Sequence, residues 1–152
     1  MPKISAGLLM YRRPKTGLEV FLVHPGGPFF RNKDEGHWGI PKGLLEGDED
    51  KLSAAIREFE EETGLKAQPP FYALTPVQYR SSRKWVHAWA FEGEWDPAQG
   101  IRSNTFELEW PPKSGQRQTF PEVDQAGWFD LAAAQRKIHP AQWPLVREIR
   151  HV

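Results

Sequence analysis

Apolar residues recur with a helical period between Asp50 and Gly64. Four of them lie at positions i, i+3, i+4 and i+7, which is the stripe of an amphipathic helix docked on a core. They are Leu52, Ala55, Ile56 and Phe59. Asp50 is a natural N-cap, and Gly64 stands where a left-handed residue ends a helix. The pattern therefore predicts a helix over about residues 51–63.

Apolar runs and alternating segments predict strands on both sides of this helix. They cover residues 4–12, 18–23, 72–79, 85–91 and 104–110, and a last strand closes at Trp128 and Phe129. A turn-like segment, residues 14–17, joins the first two strands as a hairpin, and residues 24–40 form a Gly- and Pro-rich loop. Two short helices, over residues 131–138 and 141–151, follow. The mixture predicts an α/β fold.

Composition limits the classes of function. A chain of 152 residues with 39% hydrophobic residues is expected to form one domain over residues 1–152. The absence of cysteine excludes disulfides, a thiolate nucleophile and Cys-ligated zinc. Balanced charge, 20 basic against 20 acidic residues, argues against a binder of nucleic-acid duplexes or membrane surfaces.

Location and assembly are expectations of the same kind. Residues 4–10 are too short for a signal core and lack a cleavage site. No segment approaches the roughly 18 apolar residues that span a bilayer. We expect a cytoplasmic protein with no membrane partner, either a monomer or a homodimer.

Acidic residues concentrate around the predicted helix. Residues 46–62 hold eight acids against two bases. At about 100° per residue, Glu58, Glu61 and Glu62 share one face beside the apolar stripe, whereas Glu60 points elsewhere. Several carboxylates on one sheltered flank offer the oxygen ligands that Mg²⁺ prefers. Acids alone do not decide the question, because a solvated acidic face costs only about 0.2–0.5 kcal/mol per like-charged pair.

The whole segment that contains these acids favours a metal site over a solvated acidic face. Residues 43–65 read GLLEGDEDKLSAAIREFEEETGL. This string resembles the complete signature of the Nudix pyrophosphohydrolases, G-x5-E-x7-R-E-U-x-E-E-x-G-U, where U is a bulky apolar residue. The matching positions are Gly43, Glu49, Arg57, Glu58, Glu61, Glu62 and Gly64. Phe59 departs slightly, as an aromatic in place of the commoner aliphatic. The resemblance implies an α/β/α sandwich, with a mixed sheet between helices and the signature forming a loop–helix–loop unit.

The resemblance also implies roles for the signature residues. Its glutamates hold Mg²⁺ or Mn²⁺ against a diphosphate, and water attacks phosphorus in a nucleoside diphosphate linked to another group. The implied metal ligands are Glu58, Glu61, Glu62, the backbone carbonyl of Lys42 and, at the helix entrance, Glu49. Arg57 is expected to orient Glu58, and Gly43 to lie where the loop passes close to the metal.

The proton acceptor has two candidates. Family members often add a glutamate from a later loop, about six residues before a Trp-Phe strand, and Glu122 stands six before Trp128. Glu58 remains the alternative base. Glu107 and Glu109 are rivals of Glu122, but their alternation with apolar residues places both on the polar face of a strand.

Signals for substrate binding lie outside the signature. Phe30 and Trp38 are candidates for stacking on a base, with core packing as the alternative. Arg83, Lys84 and Lys113 are candidates for contacting a phosphate tail, with solvated loop charges as the alternative. The approach at residues 38–43 resembles Nudix enzymes that act on dinucleoside polyphosphates, so an NTP or a dinucleoside polyphosphate is the expected substrate.

Two non-enzymatic classes compete with this reading. A catalytically silent Nudix-fold nucleotide-binding module would normally have lost signature glutamates, and none is missing here. A calcium-binding protein is suggested only by the acids at positions 48–50, which lack the spacing of an EF-hand loop. The five histidines show no metal-ligand spacing. An enzyme is therefore the preferred interpretation.

Overall fold

The chain is described over residues 3–152 by a computed structural model. Its strands are β1 Ile4–Arg12, β2 Glu19–Pro25, β3 Lys42–Leu44, β4 Tyr72–Ala73, β5 Val77–Gln78, β6 Trp85–Glu92, β7 Thr105–Glu109, β8 Arg117–Pro121 and β9 Val123–Asp130. Its helices are α1 Lys51–Thr63, α2 Leu131–Lys137 and α3 Trp143–Glu148, with short 3-10 turns at Pro97–Gln99, Pro140–Gln142 and Ile149–His151.

The central strand, β1, pairs along both of its edges. One edge runs parallel to β6 from the Ile4–Trp85 pair to the Tyr11–Glu92 pair. The other edge is antiparallel to β3 in its first half and to β2 at its end. Within residues 3–152 the main sheet has the order β4-β6-β1-β2-β9, with β3 joined to β1 and β5 joined to β6. Parallel and antiparallel pairs coexist, so the predicted mixed sheet is confirmed.

Two apolar layers cover the faces of this sheet. Alternate side chains of β1 point to opposite faces. Ala6, Leu8 and Met10 join a buried cluster with Phe59 of α1. Leu9 lies on the other face, in a cluster with Leu145 of α3. Helices therefore pack on both faces, and the predicted α/β/α sandwich is confirmed.

Three local predictions differ from the structure. The single strand predicted over residues 72–79 is wrong: β4 and β5 are separate, because Pro76 has no N–H to donate and the Thr75 N–H bonds instead to Glu148 Oε1 at 2.8 Å. Strand β3 was not predicted, and neither was β8, which pairs with β7 in a separate two-stranded sheet. Side chains of β8 are mostly exposed on both faces, so no alternation marks it.

No helix among residues 3–152 combines the length and apolar character needed to cross a bilayer.

Candidate active site

Helix α1 begins and ends as predicted. The Asp50 side chain accepts hydrogen bonds from the Ser53 N–H at 3.0 Å and from the Ser53 hydroxyl at 2.6 Å. Gly64 takes φ 78°, and its N–H donates to the Glu60 carbonyl at 2.8 Å. Phe59 is fully buried against the sheet. Since both ends and the apolar face are fixed, so is the direction in which each glutamate points.

The glutamates of α1 divide as the helix period predicts. Glu58 and Glu62 are only 9% and 8% exposed, and Glu61 is partly buried beside them. Glu60 is exposed and pairs with Lys66 at 3.4 Å. The shared face, and the outward direction of Glu60, are confirmed.

Arg57 holds several of these carboxylates. It contacts Glu49 through Nε at 3.2 Å and Nη2 at 2.6 Å, and its Nη1 lies 2.9 Å from Glu58 and 3.1 Å from Glu61. The same guanidinium donates to the Leu44 carbonyl at 3.4 Å, which ties the loop before the helix to the helix itself. Such forked contacts fix geometry as well as charge. Arg57 was expected to orient Glu58, and the two side chains are in direct contact.

Glu49 lies on Arg57 in this structure. One of its oxygens also accepts the Glu46 N–H at 2.8 Å, so the carboxylate is fully engaged at the helix entrance. The Arg57 hydrogen bonds keep the pKa of Glu49 below its ordinary value. Its position is that of a support for Arg57.

Gly43 lies directly against the Glu58 carboxylate. A Cβ added at this glycine would collide with all three atoms of that carboxyl group. The absent side chain therefore makes room for Glu58 itself, a more specific reason than the expected closeness of the loop to metal.

Glu62 is the most strongly perturbed acid of the cluster. Its Oε1 accepts the Lys42 N–H at 3.3 Å. Burial raises the pKa of Glu62 to about 9, the Lys42 charge opposes that rise, and the neighbouring Glu58 adds to it. Burial also raises the pKa of Glu58, against the lowering effect of Arg57. Two neighbouring carboxylates with too little positive charge disfavour ionising together.

Glu122 joins this cluster from a distant part of the chain. It lies between β8 and β9, where its N–H donates to the Asn104 carbonyl and its own carbonyl accepts the Gly26 N–H, both at 2.9 Å. The side chain keeps contact with solvent, yet partial burial raises its pKa, and the Glu58 charge raises it further. The rivals Glu107 and Glu109 are exposed on β7, as the alternation predicts.

Glu62 and Glu122 line one cavity of about 240 Å³. Lys42 lines it too, together with Phe30, Trp38, Tyr79, His139 and Gln142. A larger open groove of about 780 Å³ runs from Glu60 past Gly64 to Asn104. We place the site in the smaller cavity, because perturbed acids and a lysine converge there and the larger groove contains neither Glu62 nor Glu122.

The structure brings some predicted binding residues to this cavity. Phe30 lines it with 38% of its surface exposed. Trp38 lines it as well but is 8% exposed, and its ring packs on Phe129 at 5.1 Å, so core packing accounts for most of its surface. Lys84 lies beside the cavity rather than in its lining: it is half-buried, with Nζ 5.2 Å from the ring centroid of Tyr79, a lining residue. Burial lowers the pKa of Lys84, and the nearby Lys42 charge lowers it further.

Two predicted contacts are not brought to the cavity. Arg83 is exposed in the turn before β6, and Lys113 is exposed in the turn between β7 and β8. Both adopt positive φ, 60° and 61°, as turn residues do. Neither lines the cavity.

Three cavity residues escaped the sequence analysis. Gln142 is 2% exposed, accepts the Ile40 N–H at 2.9 Å and donates to the Tyr79 hydroxyl at 2.8 Å. His139 stacks on Tyr79 with the ring centroids 4.7 Å apart. Burial lowers the pKa of His139, and the Lys42 charge lowers it further. No motif marks these residues, and Tyr79 meets His139 and Gln142 only in the fold, since 63 residues separate it from Gln142.

The donor set is suited to a hard cation. Within residues 3–152 no group of three or more His, Asp or Glu side chains is arranged to hold a metal ion. In this arrangement Arg57 contacts Glu58 and Glu61, while Glu62 contacts Glu58. The chemistry nevertheless fits Mg²⁺ or Mn²⁺: buried carboxylates with raised pKa, beside a glycine that leaves room for one of them, favour added positive charge.

Comparison with known proteins identifies the class. The NUDIX domain model matches residues 1–149, and the chain belongs to that family. Nudix hydrolases generally use divalent metal ions.

Solved structures share the fold. A Caenorhabditis elegans Ap4A hydrolase binary complex superposes with TM-score 0.66 at 22% identity, over 97% of this chain and 96% of that one. The NUDIX domain of Shewanella oneidensis NrtR complexed with ADP ribose superposes with TM-score 0.67 at 18% identity, over 99% of this chain and 88% of that one.

A curated relative matches only locally. The mRNA-decapping protein g5R of African swine fever virus is 51% identical over 39 residues, which are 26% of this chain. The match spans 15% of the length of that protein.

Proposed function

We propose that this protein hydrolyses a diphosphate linkage in a nucleoside diphosphate joined to another moiety, with an NTP or a dinucleoside polyphosphate as substrate. The observation that carries the proposal is the meeting of Glu62 and Glu122 with Lys42 in one cavity, next to Glu58. Acids and a base that face one small cavity suit a metal-assisted reaction on a polyanion.

We assign the metal to the inner flank of α1. Its ligands would be Glu58, Glu61, Glu62 and the Lys42 backbone carbonyl, with Mg²⁺ or Mn²⁺ as the ion. When bound, the ion would neutralise charge on the diphosphate and activate water. We assign Glu49 to holding Arg57, since both of its oxygens already accept hydrogen bonds.

We assign proton acceptance to Glu122. Its carboxylate lines the cavity and remains accessible to water, whereas Glu58 contacts Arg57 and does not line the cavity. A raised pKa makes Glu122 a better proton acceptor near neutral pH than an ordinary glutamate. Glu58 then remains a proposed metal ligand that Arg57 orients.

We assign phosphate binding to Lys42 and Lys84, which lie close enough for the charge of one to lower the pKa of the other. A bound polyanion would relieve that repulsion. Phe30, with Trp38 behind it, would contact the base. The Ap4A hydrolase and the ADP-ribose complex among the structural relatives support a nucleotide ligand. A catalytically silent binding module is the alternative.

The lack of cysteine favours the cytoplasm as the location of this protein. We propose that the chain forms a single domain and exists as a monomer or a homodimer.

A substrate screen tests the proposal. Purified protein is incubated with NTPs, dinucleoside polyphosphates, ADP-ribose, nucleotide sugars and a capped oligonucleotide, each with Mg²⁺, with Mn²⁺ or with excess EDTA. The products are identified by mass. We expect two phosphorylated fragments from at least one anhydride, no turnover in EDTA, and poor turnover of a phosphomonoester. Full activity in EDTA would remove the proposed mechanism, and binding without turnover would favour the silent module.

A further inference from the structure

His24 is a buried histidine with two acceptors and no place in the cavity wall. Its ring is on β2, and the residue is 2% exposed. Nδ1 lies 2.7 Å from Asp124 Oδ1, and Nε2 lies 2.7 Å from the Lys33 carbonyl oxygen. The Lys33 carbonyl can only accept, so Nε2 donates to it, while Nδ1 lies within hydrogen-bond distance of the Asp124 carboxylate. The ring is therefore held at both of its nitrogens.

The Lys33 carbonyl belongs to the turn that presents Phe30. The Lys33 N–H donates to the Phe30 carbonyl at 2.9 Å, which closes that turn. The next part of the loop is held elsewhere, because the Trp38 N–H donates to the Lys137 carbonyl at 3.0 Å. The bond from His24 to Lys33 therefore ties the Phe30 turn to the central sheet.

His24 also contacts Trp38, another aromatic residue of the cavity. Its ring packs edge-on against Trp38, with centroids 5.3 Å apart. Asp124, on β9 two residues beyond Glu122, holds the opposite side of the imidazole and fixes the ring plane. A single buried ring thus connects β2, β9 and the loop that carries Phe30.

We propose that His24 is a positioning residue that holds Phe30 at the nucleotide cavity through the Lys33 carbonyl. The inference rests on the proposed function, in which Phe30 contacts the base. His24 touches neither substrate nor reacting atoms. Its effect is to keep the binding wall in place before the nucleotide arrives, which lowers the ordering cost of binding.

Two substitutions separate the two hydrogen bonds. The side-chain amide of Asn places its nitrogen near the position of Nδ1, and that of Gln places it near Nε2. H24N therefore keeps the donor to Asp124 and loses the donor to Lys33, whereas H24Q does the reverse. Each variant loses one buried bond, so thermal unfolding serves as the matched control for stability.

The first measurement is the affinity for α,β-methylene-ATP with Mg²⁺ by calorimetry. We expect H24N to weaken binding by about tenfold, the scale of one lost hydrogen bond. H24Q should bind much more tightly than H24N. In a double-mutant cycle, H24N should cost little further affinity in a Phe30→Ala background. Equal losses in H24N and H24Q, or additive losses with Phe30→Ala, would overturn the proposal.

A second measurement needs no nucleotide. Arg31 and Lys33 are trypsin sites in the turn, and we expect cleavage there to be faster in H24N than in H24Q. Equal cleavage rates would overturn the positioning role whatever the affinities show. Faster cleavage in H24N, in a protein whose wild-type form neither binds nor hydrolyses nucleotides, would instead overturn the proposed function and retain the hold of His24 on the turn.

Discussion

The acids at the entrance of α1 and those at the cavity are chemically alike but differ in their partners. Glu49 accepts two hydrogen bonds from Arg57, which keep its pKa below the ordinary value. Glu62 accepts one backbone N–H and lies near the Lys42 charge. These partners do not offset burial, so its pKa rises to about 9. Glu122 shows the same direction more weakly. The entrance acids are therefore satisfied within the protein, whereas the cavity acids favour a partner from outside it.

Glu58 connects the two groups. It contacts Arg57 on one side and Glu62 on the other. Removing one partner of a buried ion pair leaves an uncompensated charge, so we expect replacement of Arg57 to disturb the cavity acids as well. The entrance group thus holds the cavity group in position.

The largest effect is expected at Glu122. Glu122→Gln removes the proposed proton acceptor and keeps the shape of the side chain. We expect kcat to fall by about 10²–10⁴-fold, the range for general bases, with KM little changed. Steady-state kinetics on the substrate found by the screen would show this. Glu107→Gln and Glu109→Gln are the matched controls on the neighbouring strand and should change little. Wild-type rates in the Glu122 variant would leave Glu58 as the base.

A second substitution series tests the ligand face of α1. Glu62→Gln and Glu61→Gln should leave a folded protein but reduce metal-dependent turnover by roughly 100-fold or more, at or above the upper end of the range for the hydrogen-bond partners of metal ligands. Rising Mg²⁺ should restore part of the rate, because the loss is in metal affinity. Glu60→Gln, from the same helix but outward-facing, should be near wild type. Equal losses at positions 60 and 62 would contradict the face assignment.

The smallest effect concerns stability without metal. The pKa of Glu62 is about 9 in the fold against an ordinary 4.5. Between those values the unfolded chain loses the proton and the folded protein keeps it, so Glu62 lowers stability progressively as pH rises. Glu62→Gln cannot ionise. In EDTA its free energy of unfolding, measured in urea, should exceed that of wild type near pH 8, and the excess should shrink towards pH 4.5.

The control for this series is again Glu60→Gln, whose exposed side chain should give no pH-dependent difference. If the Glu62 variant gained unfolding free energy by the same amount at every pH, burial would not be what holds the proton on this carboxylate. Adding Mg²⁺ should reverse the order and favour wild type, since a ligand bound to the native state stabilises it.

Local interactions explain what the sequence predicted. The cap at Asp50, the stop at Gly64 and the 3.6-residue period involve residues close in the chain. Helix α1 and the outward direction of Glu60 could therefore be predicted from the sequence. The mixed sheet followed from the order of apolar runs together with the family resemblance. The roles of the signature glutamates stay a prediction.

Tertiary structure decided the rest, because long-range pairing brings together residues with no pattern in common. Strand β8 is mostly exposed and exists through its register with β7. Gln142 reaches Ile40 across 102 residues, and His24 reaches Asp124 across 100. By itself the sequence predicted the acidic helix and, through the family resemblance, a class of chemistry. Only the fold decided which side chains from distant strands and turns surround it, since those contacts depend on packing between elements rather than on spacing along the chain.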